Sequence, residues 1–308
     1  MLHLEANCMK KTIFTGACVA LVTPMYADGP NSGSVNFDKL GELIEFQIAK
    51  GTDSILVCGT TGESPALSHQ EHTRVIAYAV EKVAGRVPVI AGTGSNDTRY
   101  AVELSLEAQK SGVDGLLLVT PYYNKTTQSG LIRHYNYIAD HVDVPMILYN
   151  IPGRTGLEIL PETYFELSKH PNIVAAKEAT GKISSIAKTA SLCGEDLAIY
   201  SGEDSEIVPI LSLGGKGVIS TLSNIMPTQA HDICAKYFAG DITGACKLQL
   251  DLLSLIDALF IEVNPIPVKT ALKLMGYDVG ECRMPLAPML DKNFAVLKVE
   301  LQKHGLIA

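Results

Sequence analysis

The sequence predicts an α/β protein: a (β/α)8 TIM barrel followed by a C-terminal helical domain. Three observations lead there. Short apolar runs alternate eight times with amphipathic stretches between residues 13 and 224. Most of these runs are continuously apolar, as parallel strands covered on both faces must be. After Gly240 the runs stop and only helical periodicity continues.

The strand-like runs are residues 13–23, 54–59, 88–94, 115–121, 145–150, 173–180, 197–203 and 217–221. Between the first two, residues 37–50 place Leu40, Leu43, Ile44 and Ile48 on one helical face, and Gly51 stops the helix. Ser68 and Glu71 form a capping box that opens the next helix, which ends before Gly85. Asn96 or Asp97 caps the third, and Gly112 ends it. Later helices cover 130–141, 161–170, 184–193, 205–213 and 227–238. Beyond residue 240, helices are expected over 241–260, 267–275 and 290–304, punctuated by Pro265, Pro267, Pro285 and Pro288. The expected division is an N-terminal extension (1–12), a catalytic barrel (13–239) and a C-terminal helical domain (240–308). Met9 is a second candidate start. A doubly wound sheet is the structural alternative, but Gly92-Thr93-Gly94 has Asp97 where a dinucleotide fingerprint needs its third glycine.

Composition narrows the function classes. Hydrophobic content of 47 % and charged content of 19 % over 308 residues are those of a soluble globular protein. The net charge is −8 and no basic run stands out, which argues against nucleic acid or an anionic membrane as partner. No apolar run reaches the length of a membrane span. Residues 1–11 hold His3, Glu5, Asn7, Lys10 and Lys11 instead of a signal-peptide core. The seven cysteines are odd in number, widely spaced and without a C-x-x-C, as expected of thiols in a reducing, cytoplasmic setting.

A barrel of this kind carries its active site at the C-terminal ends of the strands. Lys177 lies late in the sixth run. Burial there favours the neutral amine, a nucleophile toward ketones; the alternative is a strand-end lysine that reaches solvent beside Glu178. The second run ends in Gly59-Thr60-Thr61-Gly62-Glu63-Ser64, whose hydroxyls and amides suit a carboxylate or oxyanion, or simply form a turn. The fourth ends in Thr120-Pro121-Tyr122-Tyr123-Asn124 and the fifth in Leu148-Tyr149-Asn150-Ile151-Pro152-Gly153-Arg154-Thr155-Gly156. Two tyrosines near a lysine and a threonine hydroxyl make a proton-transfer chain; as core residues they need only a wet hydroxyl. Arg154 can fork a carboxylate or stay solvated. The seventh run ends in the acidic Ser201-Gly202-Glu203-Asp204, and neither late loop is a glycine-rich phosphate cradle, which disfavours a phosphorylated substrate. No H-E-x-x-H, G-x-S-x-G or Walker pattern occurs. His69 and His72 read as a solvated helix face with no further ligand arranged beside them, so no metal is expected.

The segments Gly59–Glu63, Val119–Asn124, Leu148–Gly156, Ala176–Thr180 and Asn264–Lys269 occur in order on these elements. Together they resemble the signatures of the dihydrodipicolinate synthase (4-hydroxy-tetrahydrodipicolinate synthase) family, within the pyruvate-dependent class I aldolase/N-acetylneuraminate lyase superfamily. The resemblance runs from about Phe14 to Leu306. It implies a Schiff-base-forming lyase of the diaminopimelate route of lysine biosynthesis, with pyruvate and L-aspartate-4-semialdehyde as substrates and no cofactor. Lys177 matches the Schiff-base lysine. Tyr149 matches the proton-relay tyrosine, with Thr61 and Tyr123 as its partners, Tyr123 reaching into a neighbouring subunit. Thr60 and Thr61 match contacts to the pyruvate carboxylate, Arg154 the arginine that gathers the second substrate's carboxylate, and Gly202 and Ile219 pocket-lining positions. The implied assembly is a homotetramer, a dimer of dimers.

Ser64, His69, His72, Asn96 and Tyr122 match an allosteric lysine site, but Tyr100 stands where lysine-sensitive members carry a glutamate. Weak or absent inhibition by lysine is therefore expected. Two other readings remain. One is another pyruvate-lysine aldolase such as an N-acetylneuraminate lyase, whose members generally lack an arginine at the position of Arg154. The other is a non-catalytic sensor of a keto acid or amino acid.

Overall fold

Eight parallel strands close into a barrel in sequential order: β1 (Gly16–Ala20), β2 (Ser54–Val57), β3 (Val89–Gly92), β4 (Gly115–Val119), β5 (Met146–Asn150), β6 (Ile173–Glu178), β7 (Ala198–Ser201) and β8 (Gly217–Ser220). The computed structural model describes residue 10, residues 12–29 and residues 32–308. The expected extension, Met9 included, lies almost wholly outside the described residues. Each strand occupies the apolar centre of an expected run, and nearly every strand residue is buried. That burial on both faces is why the runs do not alternate.

Closure depends on Gly217. A Cβ there would lie 1.8 Å from the carbonyl oxygen of Gly16, so no other residue lets β8 approach β1 this closely. Inside the barrel, Cys18, Leu56, Ile90, Leu117, Ile147 and Ile219 fill the interior. Tyr200 stacks on Phe14 with ring centroids 4.2 Å apart and donates its hydroxyl proton to the Phe14 carbonyl at 2.6 Å. This closes the barrel floor, below the strand ends that carry the site.

The helix signals act as their chemistry requires. Ser68 and Glu71 complete the capping box of His69–Val83. Of the two candidate caps for Thr98–Ser111, Asp97 is used: its side chain accepts from the N–H groups of Arg99 and Tyr100. Two local expectations are corrected. The stretch 241–260 is two helices, Ile242–Asp251 and Leu253–Leu259, joined at Leu252. The loop after β5 holds a short helical turn, Pro152–Thr155, in which proline takes the first position and Gly156 ends the turn in the left-handed region.

One hydrophobic cluster runs from Leu40 and Val75 through Leu255 and Val268 to Leu301, so the C-terminal helices share the barrel's outer core. We propose the domain boundary at residues 239/240 on the change from strand–helix alternation to helices alone, not on a gap in packing. Among the described residues no helix is long and apolar enough to cross a membrane.

A buried ion pair ties the two parts together. Lys269 Nζ lies 2.8 Å from Glu63 Oε1, and both side chains are at most 2 % exposed. Lys269 also donates to the carbonyls of Thr23 (3.3 Å) and Glu281 (3.0 Å), while the Arg283 N–H donates to the other Glu63 oxygen at 2.8 Å. Breaking such a pair by removing one partner leaves an uncompensated buried charge. Lys269→Met is expected to destabilise the fold by about 3–5 kcal/mol in urea unfolding. Glu63→Gln/Lys269→Met is expected to cost less than the two single changes summed; full additivity would show that the pair does not couple.

Candidate active site

The register of the central strands sets the site. Tyr149 of β5, Lys177 of β6 and Tyr200 of β7 lie side by side. Alternation along the strand turns Lys177 inward and Glu178 outward. Lys177 is 6 % exposed, and its Nζ lies 4.1 Å from the centroid of the Tyr149 ring. The snorkelling alternative is thereby excluded. Burial lowers the Lys177 pKa to about 8; Glu203, Cys18 and Asp204 oppose that shift, and the Arg154 charge adds to it.

A cavity of about 20 Å³, the size of one water, opens at Lys177 among Tyr149, Thr60, Thr61, Gly202 and Glu203. A second void of about 210 Å³ lies beyond Tyr149 and includes Ser64 and Tyr122. Thr60, Tyr149, Ile151 and Arg154 wall both spaces, but only the smaller one touches Lys177. Gly202 permits this closeness: a Cβ there would meet Ala179 Cβ and Glu178 O at 2.9 Å and Lys177 Cε at 3.1 Å. Ile219 sits in the inner core with Ala20 and Tyr149.

The two threonines have different partners. Thr60 and Tyr149 wall both cavities together, and a Thr60 side-chain contact opposes the rise of the phenol pKa. Thr61 Oγ1 instead accepts from Asn264 Nδ2 at 2.9 Å in a buried contact. We therefore propose Thr60, and not the Thr61 implied by the resemblance, as the hydroxyl partner of the phenol. Burial first, then the charge of Glu203, raises the phenol pKa; Arg154 and Thr60 oppose it.

Arg154 lies on the turn Pro152–Thr155 and donates from Nη2 to the Asn264 carbonyl at 3.2 Å. Tyr123 is not brought to the lysine of its own chain. It stands 92 % exposed with a left-handed φ of 68°.

Three residues at the site had no assigned role in the sequence. Glu203 lines the lysine cavity, and burial raises its carboxyl pKa to about 7, against the pull of Lys177. Asp204 is buried and accepts from the N–H groups of Thr221 (3.0 Å) and Leu222 (2.8 Å), fixing the end of β8. Asn264 bridges Thr61 and Arg154. The acidic loop after β7 was the available signal for Glu203 and Asp204. Glu178 does not pair with Lys177. Its oxygens accept from Asn150 Nδ2 and Thr180 Oγ1, each at 3.1 Å, behind the barrel wall.

The second expected group is only partly gathered. Ser64 and Tyr122 line the larger void, and Asn96 Nδ2 donates to the Tyr122 carbonyl at 3.2 Å. His72 is buried, with Nε2 2.8 Å from the Gly92 carbonyl oxygen, so the solvated-face reading is corrected for it. Burial lowers its pKa. His69 instead faces Glu103 and Glu107, which corrects the expectation that no carboxylate stands beside this pair.

A sequence profile described as the Dihydrodipicolinate synthetase family matches residues 13–304. A protein of Acetivibrio thermocellus named 4-hydroxy-tetrahydrodipicolinate synthase is 55 % identical over 299 residues, covering 97 % of this chain and 100 % of that one. The chloride-inhibited dihydrodipicolinate synthase of Acinetobacter baumannii, solved with pyruvate, superposes with a TM-score of 0.92 at 43 % identity, covering 96 % of this chain and 100 % of that one. The lysine-bound enzyme of Cyanidioschyzon merolae also gives a TM-score of 0.92, at 38 % identity and with the same coverages. With profile, sequence and barrel agreeing over nearly the whole length, this chain belongs to the dihydrodipicolinate synthetase family.

Proposed function

We propose that the chain is a 4-hydroxy-tetrahydrodipicolinate synthase, a Schiff-base-forming lyase that condenses pyruvate with L-aspartate-4-semialdehyde. The observation that carries this reading is the buried Lys177 amine, held against Tyr149 in a cavity at the barrel mouth. With a pKa of about 8, about a tenth of it is neutral at pH 7, far more than for an ordinary lysine.

The neutral amine attacks the pyruvate carbonyl carbon, and the oxygen leaves as water after protonation. The Tyr149 phenol, kept protonated by its raised pKa, is the donor, and Thr60 hands it the next proton. The iminium withdraws electrons, so the pyruvate methyl loses a proton and becomes an enamine carbon. That carbon attacks the aldehyde. The second substrate's amine then adds to the imine carbon, expels Lys177 and closes the ring. Lysine itself is the electron sink, so no cofactor enters these steps. Thr60, Thr61 and the turn amides face the pyruvate carboxylate, Gly202 and Ile219 shape the floor, and Arg154 offers its fork to the second carboxylate.

The exposed Tyr123 belongs to this reading as a side chain that completes a neighbouring subunit's site in a dimer, two dimers forming a tetramer. A cytoplasmic place in the diaminopimelate route of lysine biosynthesis goes with the same substrates. Arg154, at the site of the second carboxylate, weighs against an N-acetylneuraminate lyase, and the cavity at a partly neutral lysine weighs against a non-catalytic sensor. At the second group, Tyr100 offers a hydroxyl toward His69 where an ammonium ligand needs a carboxylate, so free lysine is proposed to inhibit weakly or not at all.

Borohydride reduction in the presence of pyruvate is expected to fix one pyruvate-derived adduct on Lys177, read by peptide mass spectrometry; an unlabelled Lys177 overturns the proposal. Lys177→Ala is expected to lose the adduct and more than about 10³-fold in turnover. The pH dependence has a defined sign. Below about pH 8 the amine is protonated, so kcat/KM for pyruvate should rise with pH and level off above about 8. Thr60→Val is expected to lower kcat about 10²-fold or more, with Thr61→Val lowering stability before kcat; equal kcat losses from the two would refute the Thr60 assignment.

A further inference from the structure

The barrel also carries a cluster of ligand-type side chains that the proposed reaction does not use. Glu103 and Glu107 lie one turn apart on the helix Thr98–Ser111, so their carboxylates share a face. His69 opens the neighbouring helix His69–Val83 and turns its imidazole toward them. Its Nε2 lies 3.3 Å from Glu107 Oε1 and 3.2 Å from Oε2. One ligand atom from each of the three side chains lies within 4.8 Å of the other two. We propose that His69, Glu103 and Glu107 bind one divalent transition-metal ion of the Zn²⁺ type.

The donor set selects the ion. An imidazole with two carboxylates suits zinc and its neighbours, whereas calcium and magnesium prefer oxygen alone. Zn–N and Zn–O bonds are about 2.0–2.1 Å, so tetrahedral ligand atoms stand roughly 3.3 Å apart. The cluster reaches that spacing by small rotations of two flexible glutamates, and the fourth position falls to water.

The supporting contact is already in place. His69 Nδ1 lies 3.4 Å from the Tyr100 hydroxyl, and the two rings are 5.9 Å apart. Without an ion, Nε2–H donates to the Glu107 carboxylate; metal binding shifts that proton to Nδ1, which then donates to the phenol oxygen and leaves the Nε2 lone pair facing the ion. A metal-binding histidine is oriented in this way by a partner on its other nitrogen. Electrostatics point in the same direction. Two carboxylates at i and i+4 repel, and Glu103 has no hydrogen bond or ion pair among the described residues. A dication neutralises both. The His69 and Glu107 side chains are 34 % and 35 % exposed, so an ion has a path in.

Isothermal titration of the chelator-stripped, full-length protein with Zn²⁺ tests the site without reference to turnover. The expected result is one saturable ion per chain, with His69→Ala and Glu103→Gln each weakening it at least about ten-fold. A variant with Cys8, Cys246 and Cys282 changed to serine is expected to keep the site, as is His304→Ala. Absence of saturable binding up to millimolar Zn²⁺ overturns the proposal. So does unchanged affinity in His69→Ala or Glu103→Gln, or loss of binding in the serine variant. Glu103 is exposed, so Glu103→Gln remains a valid arm if His69→Ala folds poorly.

Discussion

Removal of the Lys177 amine from water is the constraint to which the rest of the site answers. The shift from 10.5 to about 8 corresponds to a penalty on the ammonium of about 3 kcal/mol. Strand register keeps that penalty in place. A slip of one residue in β6 would turn Lys177 to the outer face and bring Glu178 inward. In the observed register the two neighbours on the chain face opposite sides. Glu178 is held by Asn150 and Thr180, so its carboxyl cannot reach the amine and fix it as a cation. Glu203 is the acid that does share the cavity, and burial weakens its charge as well. The amine and the nearest acid are thus both drawn toward neutrality, which leaves protons free to move.

The mouth of the barrel is held from outside the barrel. The turn after β2 ends at Glu63, a non-glycine residue with a left-handed φ of 54°. Such a conformation costs about 1–3 kcal/mol and persists where the surroundings over-determine it. Lys269 and the Arg283 amide do that through the Glu63 carboxylate, and Asn264 does it through Thr61. The same asparagine receives Arg154 on its carbonyl. One C-terminal segment therefore sets the turn that carries Thr60 and the arginine on the opposite rim. The helices after residue 240 have this structural reason to exist beyond adding core.

What was legible in the sequence follows from how local the physics is. Continuous apolar runs and caps such as Ser68 and Gly112 report only on neighbours, and they placed the barrel and its helices. A lysine late in such a run was legible as a candidate nucleophile, but whether its amine stays inside or reaches solvent is decided by strand register and packing. Adjacent hydroxyls were not separable: whether Thr60 or Thr61 meets the phenol depends on the dihedrals of one turn, which composition does not encode. The pair His69 and His72 misled for a different reason. Spacing of three residues suggests one shared face, but the helix leans on β3 and buries His72 against the Gly92 carbonyl while His69 stays at the edge. The carboxylates beside His69 come from another helix, and no local pattern announces them. Glu203 was visible as an acidic loop residue, yet its effect on Lys177 exists only once β6 and β7 are adjacent.

Tyr123 shows where a single chain ceases to be a complete account. Its backbone takes the left-handed region that β-strand and helix residues avoid, and its ring projects into solvent. Both features cost free energy in an isolated subunit, the first about 1–3 kcal/mol. Among the described residues nothing covers the Tyr123 side chain to recover that cost: it stands 92 % exposed. An aromatic held outward in strained backbone has a physical rationale if its contacts lie on another copy, which is the role assigned to it in the proposed dimer. On that account the strain at Tyr123 is offset only on assembly, and the proton path from Lys177 through Tyr149 and Thr60 gains its outer member from the neighbouring chain.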